Sequence, residues 1–596
     1  MASFDTLITG GTVVDGSGAA PFVADVALKD GLIAAIGHNL GTATETVNAD
    51  GLLVAPGWVD IHTHYDGQAT WDPVLSQSLR HGVTTLMMGN CGVGFAPAKP
   101  DRHDFLIELM EGVEDIPGVS LRAGLPWSWE SFPEYLNALD AMPRSIDIAT
   151  QLSHGALRAY VMDQRGADNE SATPADIEKM AALTLDAMQA GAFGFSSSRT
   201  AVHIAVDGRP VPGTYAADDE LIALARAVKA SGRGLVEVVL SGVAGEDSVA
   251  LDQEMAMLRR VAAGSGAPVM FLLVQQLGDA TQWRRQLAAC DDAAKAGLTI
   301  IPQVSGRPIS ILFCFEGEHP WKFMPSYQAL VDLPFAERYA RLRDPAFRAQ
   351  LLNEQDPNDQ GFSMLYKNPA LWDYTFPAGS PINYTPDPNN SIAKIAAREG
   401  RSAWDVAYDL LLEDHGQAIL MYALTGYADG NTDAVREMVT HPRSVLGLSD
   451  AGAHVRLIAD YGVHSYMLSH WVRDHAADDP KRLSLEYVIK KLTSDNADLY
   501  GFHDRGRLAV GLRADINLID LPNLAAGRPH MVYDLPAAQA RLDQSVQGYV
   551  ATYVKGTVVQ RNGEDTGARP GRLVRSGQVD GAARVPAAAA RAASAG

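Results

Sequence analysis

Eight short apolar runs, separated by amphipathic segments, recur between Gly57 and Gly501 and restrict this chain to a narrow set of folds. They are GWVDIH (57–62), TTLMMGN (84–90), DIATQLSH (147–154), GAFGFSS (191–197), GLVEVVL (234–240), PVMFLLV (268–274), GLTIIPQV (297–304) and SVLGLSD (444–450). Runs this short, bounded by turn residues, read as strands buried on both faces. The stretches between them, such as PADIEKMAALTLDAMQAG (174–191) and DELIALARAVKASG (219–232), open on Pro or Asp and close on Gly, as helices do. Strands alternating with helices form parallel βαβ units, and eight units suit a closed (β/α)8 barrel of the TIM type in the α/β class. An open doubly wound sheet is the rival arrangement.

The two ends have a different texture. Residues 5–55 are short alternating strands punctuated by turns such as Lys29-Asp30-Gly31, and ADINLID (514–520) and YVATYVKGTVVQRNG (549–563) repeat that pattern. Neither piece alone has enough strands to bury a sheet face, so the two are expected to pair. The expected domains are therefore 1–56 plus 508–575 as a small β-domain and 57–507 as the barrel. A stretch over 305–395, rich in Trp, Tyr, Phe, Pro and Asn, breaks the alternation. An insert after the seventh strand lies over the face where barrels hold their sites, which suits a lid. The Ala-rich residues 576–596 read as a flexible tail.

Lys and Arg total 49 against 71 Asp and Glu, a formal charge of −22, which disfavours nucleic acid as a partner. Three cysteines in 596 residues make no disulfide framework, and the N-terminal residues carry no basic-then-apolar signal pattern. No apolar stretch approaches the roughly 18–20 residues that span a bilayer. The expectation is a cytoplasmic chain without a membrane partner.

His62-Thr63-His64 closes the first run. Alternate residues of an extended chain share a face, so both imidazoles point the same way, and two neutral imidazoles at a strand's C-terminal end form half of a metal site. Cys91, between Asn90 and Gly92 at the end of the second run, is either a small buried hydrophobe or a metal-accessible thiolate. Asp450, ending the eighth run, is either a helix N-cap or a catalytic carboxylate. Glu237, within the fifth run, either faces inward as a ligand or ligand partner, or faces outward to an arginine. Gln275 and Gln276 end the sixth run as hydrogen-bonders of water or substrate. His154 either orients substrate or is structural. Arg199 and Arg456 are candidates for pairing with a substrate carboxylate. His203, His319 and His454 read as residues of the rim.

PGWVDIHTHYD (56–66) resembles the opening of the amidohydrolase superfamily. ITGGTVVDGSG and KDGLIAAIG near the start, and LTSDNADLYGFHDRGRLAVGLRADINLID near the end, resemble that superfamily's flanking segments. GVTTLMMGNCGVGFAP, SHGALRAYVM, GAFGFSSS and HPRSVLGLSDAGAH are similar to the N-acyl-D-amino-acid deacylases. The resemblance implies a barrel beside a small β-sandwich built from both chain ends, with His62, His64, Cys91 and Asp450 as metal ligands. It further implies metal-activated water, Asp450 as proton shuttle, and cleavage of the amide bond of N-acyl amino acids of D configuration. The deacylases also place a histidine at the ends of strands 5 and 6, and this chain has none at either place, which points to one zinc ion in preference to two. Bulkier or cyclic amides (carboxypeptidase-like or hydantoinase-like substrates) are the alternative, and a catalytically degenerate barrel that binds a small ligand is the alternative of another class. A small-molecule amide is the expected partner, and association into a homo-oligomer is left open.

Overall fold

The computed structural model of the chain describes residues 3–243, 245, 250–358 and 362–577. Each of the eight apolar runs holds a strand: β1 (Trp58–Asp60), β2 (Val83–Met88), β3 (Asp147–Thr150, continued by Leu152–Ser153), β4 (Gly194–Ser198), β5 (Leu235–Val239), β6 (Val269–Leu272), β7 (Ile300–Val304) and β8 (Val445–Leu446). All neighbouring pairs are parallel. β1 pairs with β2 and β2 with β3. Leu152–Ser153 pairs with β4, and pairing continues through β5, β6 and β7 to β8. Thr63 then bridges Ala451 in the parallel sense, and the His64 amide donates to the Ala451 carbonyl at 2.8 Å, which returns the pairing from β8 to β1.

One buried cluster draws a side chain from every one of these strands but β4: Val59, Met87, Ala149, Leu235, Met270 and Val445, joined by Phe193 just before β4, with Ile301 of β7 packed against them. Tyr500 and Phe502 join the same cluster. An apolar plug at one end of the strands leaves the opposite ends for polar groups, and the site residues lie there.

The two chain ends share one nine-stranded sheet. Its seam is the antiparallel pairing of Leu53–Pro56 with Ile516–Ile519. Ile8, Val26, Ile33 and Val54 from the first segment pack with Ile516, Leu518 and Tyr553 from the second. Buried charges lock this part to β3. Asp147, fully buried, accepts from Arg505 at 2.6 Å and lies 3.0 Å from Arg513.

Not all of residues 508–575 joins that sheet. The hairpin His530–Leu535/Gln539–Asp543 pairs only with itself. It leans on the strand-end face instead: the Leu542 amide donates to the Val455 carbonyl, and the Tyr533 hydroxyl donates to Glu316 at 2.9 Å.

The segment after β7 is a packed unit and not the irregular stretch its composition suggested. Ser310–Phe313, Leu420–Ala423 and Thr375–Pro377 form an antiparallel sheet, with helices such as Phe335–Leu342, Ile392–Glu399 and Ala403–Gly416 around it. Its core of Phe315, Trp321, Trp372, Tyr408 and Tyr422 runs past residue 395 to the strand ending at Ala423. The same aromatic side chains that obscured the periodicity each bury large areas and hold the unit together. Residues 578–596 of the expected tail lie outside the described residues. No helix among the described residues is long and apolar enough to cross a membrane.

Candidate metal centre and active site

His62 and His64 lie at the C-terminal end of β1 with almost no exposure, their ring centroids 5.3 Å apart. Both side chains leave the same side of the extended chain, as the alternation requires. β2 delivers Cys91 through a sharp reversal: Gly89, Cys91 and Gly92 all have positive φ (79°, 56° and 73°). The Asn90 side chain pins that reversal by donating to the Thr63 and Met87 carbonyls at 3.0 and 3.1 Å. A side chain at Gly92 would press within 2.8 Å of the Ser198 backbone nitrogen, so only glycine fits. The turn brings Cys91 Sγ to 3.3 Å from His62 Nε2. Asp450, also at positive φ (48°), places Oδ1 3.3 Å from His62 Nε2 and 3.9 Å from His64 Nε2. A non-glycine residue held in that region is strained, a condition common at functional sites. The ligand atoms of His62, His64 and Cys91 all fall within 4.8 Å of one another.

The outer nitrogen of each histidine faces a buried carboxylate. His62 Nδ1 is 2.9 Å from Gln303 Oε1 and 3.4 Å from Glu237 Oε1. Glu237 therefore faces inward, and its Oε2 accepts from Gln151 at 2.8 Å. His64 Nδ1 lies 3.3 Å from Glu114 Oε1, and the other Glu114 oxygen is 3.6 Å from His454 Nε2. Carboxylates in this position fix the tautomer and ring orientation of a metal-ligating imidazole, leaving Nε2 for the ion.

The electrostatics test whether a cation fits. Burial, then the charges of Asp450, Asp66 and Glu237, hold the Glu114 carboxyl well above its ordinary value. Burial likewise lifts Glu237. Burial with the Asp60 charge brings Asp450 to about 7, and burial alone lifts Asp66 to about 7. Burial followed by the charges of Glu114, Glu237, Asp450 and Asp66 raises the Cys91 thiol. Burial and the neighbouring histidines His62, His454 and His203 keep His64 neutral. Four carboxyls and a thiol are thus buried together, and their charged forms repel one another. Glu237 Oε1, Glu114 Oε1, Asp66 Oδ2 and His64 Nδ1 find no hydrogen-bond partner among the described residues. A divalent cation would offset the gathered negative charge, and the two nitrogens, one sulfur and one oxygen offered by His62, His64, Cys91 and Asp450 are a suitable donor set.

Other candidates lie outside this cluster. His154 is fully buried between Ser197 Oγ and Glu220 Oε1, both at 2.8 Å, and Arg158 closes the network on Glu220 at 2.6 Å. Arg199 is bound to Glu254 and to the Ala216 carbonyl, both at 2.8 Å. Gln275 donates to Asp429 at 2.8 Å and Gln276 to the Gly242 carbonyl. Arg456 pairs with Asp115 at 3.0 Å but keeps 32% of its side chain exposed. His203 bonds Ser198 at 3.0 Å, and burial, His454 and His62 pull it down to about 3. His319 is no rim residue: it is fully buried in the insert, ring to ring with Phe315 and Tyr327 at 5.1 and 4.4 Å.

Sequence reading missed Glu114, Asp66 and Gln303. Gln303 carried the same signal as Glu237, a lone polar residue inside an apolar run. Asp66 follows the histidine pair by two residues. Glu114 ends the helix His103–Glu114 and gave no signal.

Residues 45–560 match the sequence model described as the amidohydrolase family. The chain belongs to that family. Among its relatives, an uncharacterized protein of Mycobacterium tuberculosis is 28% identical, with 97% of each chain covered. The N-acyl-D-aspartate deacylase of Alcaligenes xylosoxydans xylosoxydans is 26% identical over 97% of this amidohydrolase and 96% of that enzyme. In fold, it is similar to the crystal structure of a D-aminoacylase (TM-score 0.63, 22% identity, 96% and 100% of the two chains covered). It is also similar to N-acyl-D-glutamate deacylase from Bordetella bronchiseptica complexed with zinc and a phosphonate inhibitor (TM-score 0.62, 24% identity, 96% and 99% covered).

Proposed function

We propose that this amidohydrolase cleaves the amide bond of N-acyl amino acids of D configuration on a single zinc ion held by His62, His64, Cys91 and Asp450. The observation that carries the reading is the cluster itself: three ligand atoms within 4.8 Å and a fourth group, Asp450 Oδ1, 3.3 Å from His62. The eight parallel strands are read as a closed (β/α)8 barrel, and the sheet of the two chain ends as a small β-sandwich beside it. The names of the deacylase relatives support an N-acyl-D-amino acid as substrate. Nitrogen and thiolate donors favour zinc over magnesium or calcium, and the absence of histidines at the ends of β5 and β6 favours one ion.

When bound, such an ion polarises the scissile carbonyl and acidifies water. The chain's own groups do the rest. Glu237 with Gln303, and Glu114, hold the two imidazoles in one orientation. Asp450 takes the proton of the attacking water and delivers it to the departing nitrogen. Arg456, although paired with Asp115, is the guanidinium retained for a substrate carboxylate because it stays the more exposed, at 32% against 16% for Arg199, which Glu254 holds; Gln275 is held by Asp429. His154 is assigned a structural role. The cyclic-amide reading is less well supported, because β4 offers Ser196, Ser197 and Ser198 where hydantoinase-type enzymes carry a lysine.

The test is amine release from matched N-acetyl-D- and N-acetyl-L-amino acids by the zinc-loaded chain. Expected is turnover of the D series that falls by about 10²–10⁴-fold in Asp450→Asn with the ion retained. Ring opening of hydantoins with no turnover of open-chain amides would overturn the proposal.

A further inference from the structure

A cleft of about 260 Å³ opens between residues 381–385, the helical turns Val463–Leu468 and Ser469–Asp474, and residues 524–526. Arg307, just past β7 and only 2% exposed, forms part of its wall. One of its terminal nitrogens, Nη2, is engaged by the Ala459 carbonyl at 2.7 Å and by Asp460 at 2.9 Å. Its Nε and Nη1 find no hydrogen-bond partner among the described residues, nor do Tyr466 Oη and His470 Nε2 on the same cleft. Buried donors left without partners are costly, and a guanidinium has donors only, so its missing partner must be an acceptor.

The rings around these donors are stacked into a fixed frame. The Arg307 guanidinium lies 3.7 Å above the Tyr384 ring, Tyr384 meets Tyr466 edge-on at 5.6 Å, and Tyr466 stacks on His470 at 4.7 Å. His470 and Arg473 enter the cleft from a π-helical turn, Ser469–Asp474, a rare geometry that recurs at functional sites. Each cation here faces one carboxylate, so the charges are balanced and the hydrogen-bond donors, not net charge, call for the guest. Arg473 is matched by Asp474 at 2.7 Å, and Arg307 by Asp460, which burial lifts to about 7.

We propose that this cleft is a second ligand site, separate from the metal cluster, which binds a small oxyanion, either a carboxylate or a phosphate group, on Arg307 with Tyr466 and His470. The site stands on its own donors and does not depend on the substrate assigned above.

Isothermal titration calorimetry of the full chain with inorganic phosphate, and separately with acetate, at constant ionic strength tests it. At least one ion is expected to bind with a Kd on the order of 1 mM or tighter. Binding to acetate alone identifies a carboxylate site, and binding to phosphate alone a phosphate site. Arg307→Lys is expected to weaken binding by about tenfold or more and Tyr466→Phe by a few-fold, as loss of charged and neutral hydrogen bonds would. Cys91→Ala is expected to leave it unchanged. If Arg307→Lys does not fold, Tyr466→Phe carries the decision. Failure of both ions to bind overturns the proposal. So does binding that survives Arg307→Lys and Tyr466→Phe but is lost in Cys91→Ala, which would place the ion at the metal cluster.

Discussion

Replacing Glu220 by Gln separates a structural role for His154 from a role in catalysis. Glu220 is 2% exposed and receives His154 Nε2 at 2.8 Å and Arg158 at 2.6 Å. Burial alone would raise its carboxyl, but the His154 hydrogen bond and the Arg158 charge outweigh that and bring it down to about 2, from an ordinary value of 4.5. A depressed acid stabilises the fold above its unfolded value and loses that contribution as pH falls toward the folded one. The difference of about 2.5 pH units corresponds to roughly 3 kcal/mol at pH 7, falling to about 1 kcal/mol at pH 3 and to almost nothing below pH 2. Urea denaturation of wild type and Glu220→Gln at pH 7 and at pH 3 is expected to show that narrowing gap. Turnover of the folded variant is expected to match wild type, because the network lies outside the metal cluster. A gap that does not change with pH would refute the charge argument. A variant of normal stability with a large loss of kcat would return His154 to the reaction.

Three further outcomes follow from the same geometry. Glu114→Gln removes the carboxyl that faces His64 Nδ1 at 3.3 Å and is expected to weaken zinc binding by about 10–100-fold, read by competition with a chromogenic chelator. Asp147→Asn leaves Arg505 and Arg513, both buried, short of a counter-charge, and is expected to destabilise the chain by about 3–5 kcal/mol in chemical denaturation. Trp372→Ala, in the core of the insert, is expected to destabilise by about 3–5 kcal/mol. Limited proteolysis should then cut that variant first within 310–423, while its zinc content stays normal.

The strand order of this fold was legible because each strand is buried on both faces, which writes a continuous apolar run. The proposed ligands His62, His64, Cys91 and Asp450 were named from the histidine pair at a strand end and from the family resemblance, and the structure brings the four side chains together. What lay between elements was not. Glu114 reaches His64 from a helix end, and its sequence neighbours carry no trace of that meeting. His154 sits at a strand end like the proposed ligands, yet it turns toward Ser197 and Glu220, and only the packed structure distinguishes the two orientations. The insert looked irregular because its stability comes from aromatic rings meeting across long separations, such as Phe313 on Tyr422 at 6.2 Å. The hairpin at 530–543 has ordinary strand texture, and nothing in it announced that it would lean on Val455.

The central claim is a single ion on His62, His64, Cys91 and Asp450, and metal content by plasma mass spectrometry tests it most directly. About one zinc per chain is expected in wild type, with a clear fall in Cys91→Ala. An equal metal content in both proteins, or none in either, would contradict the account.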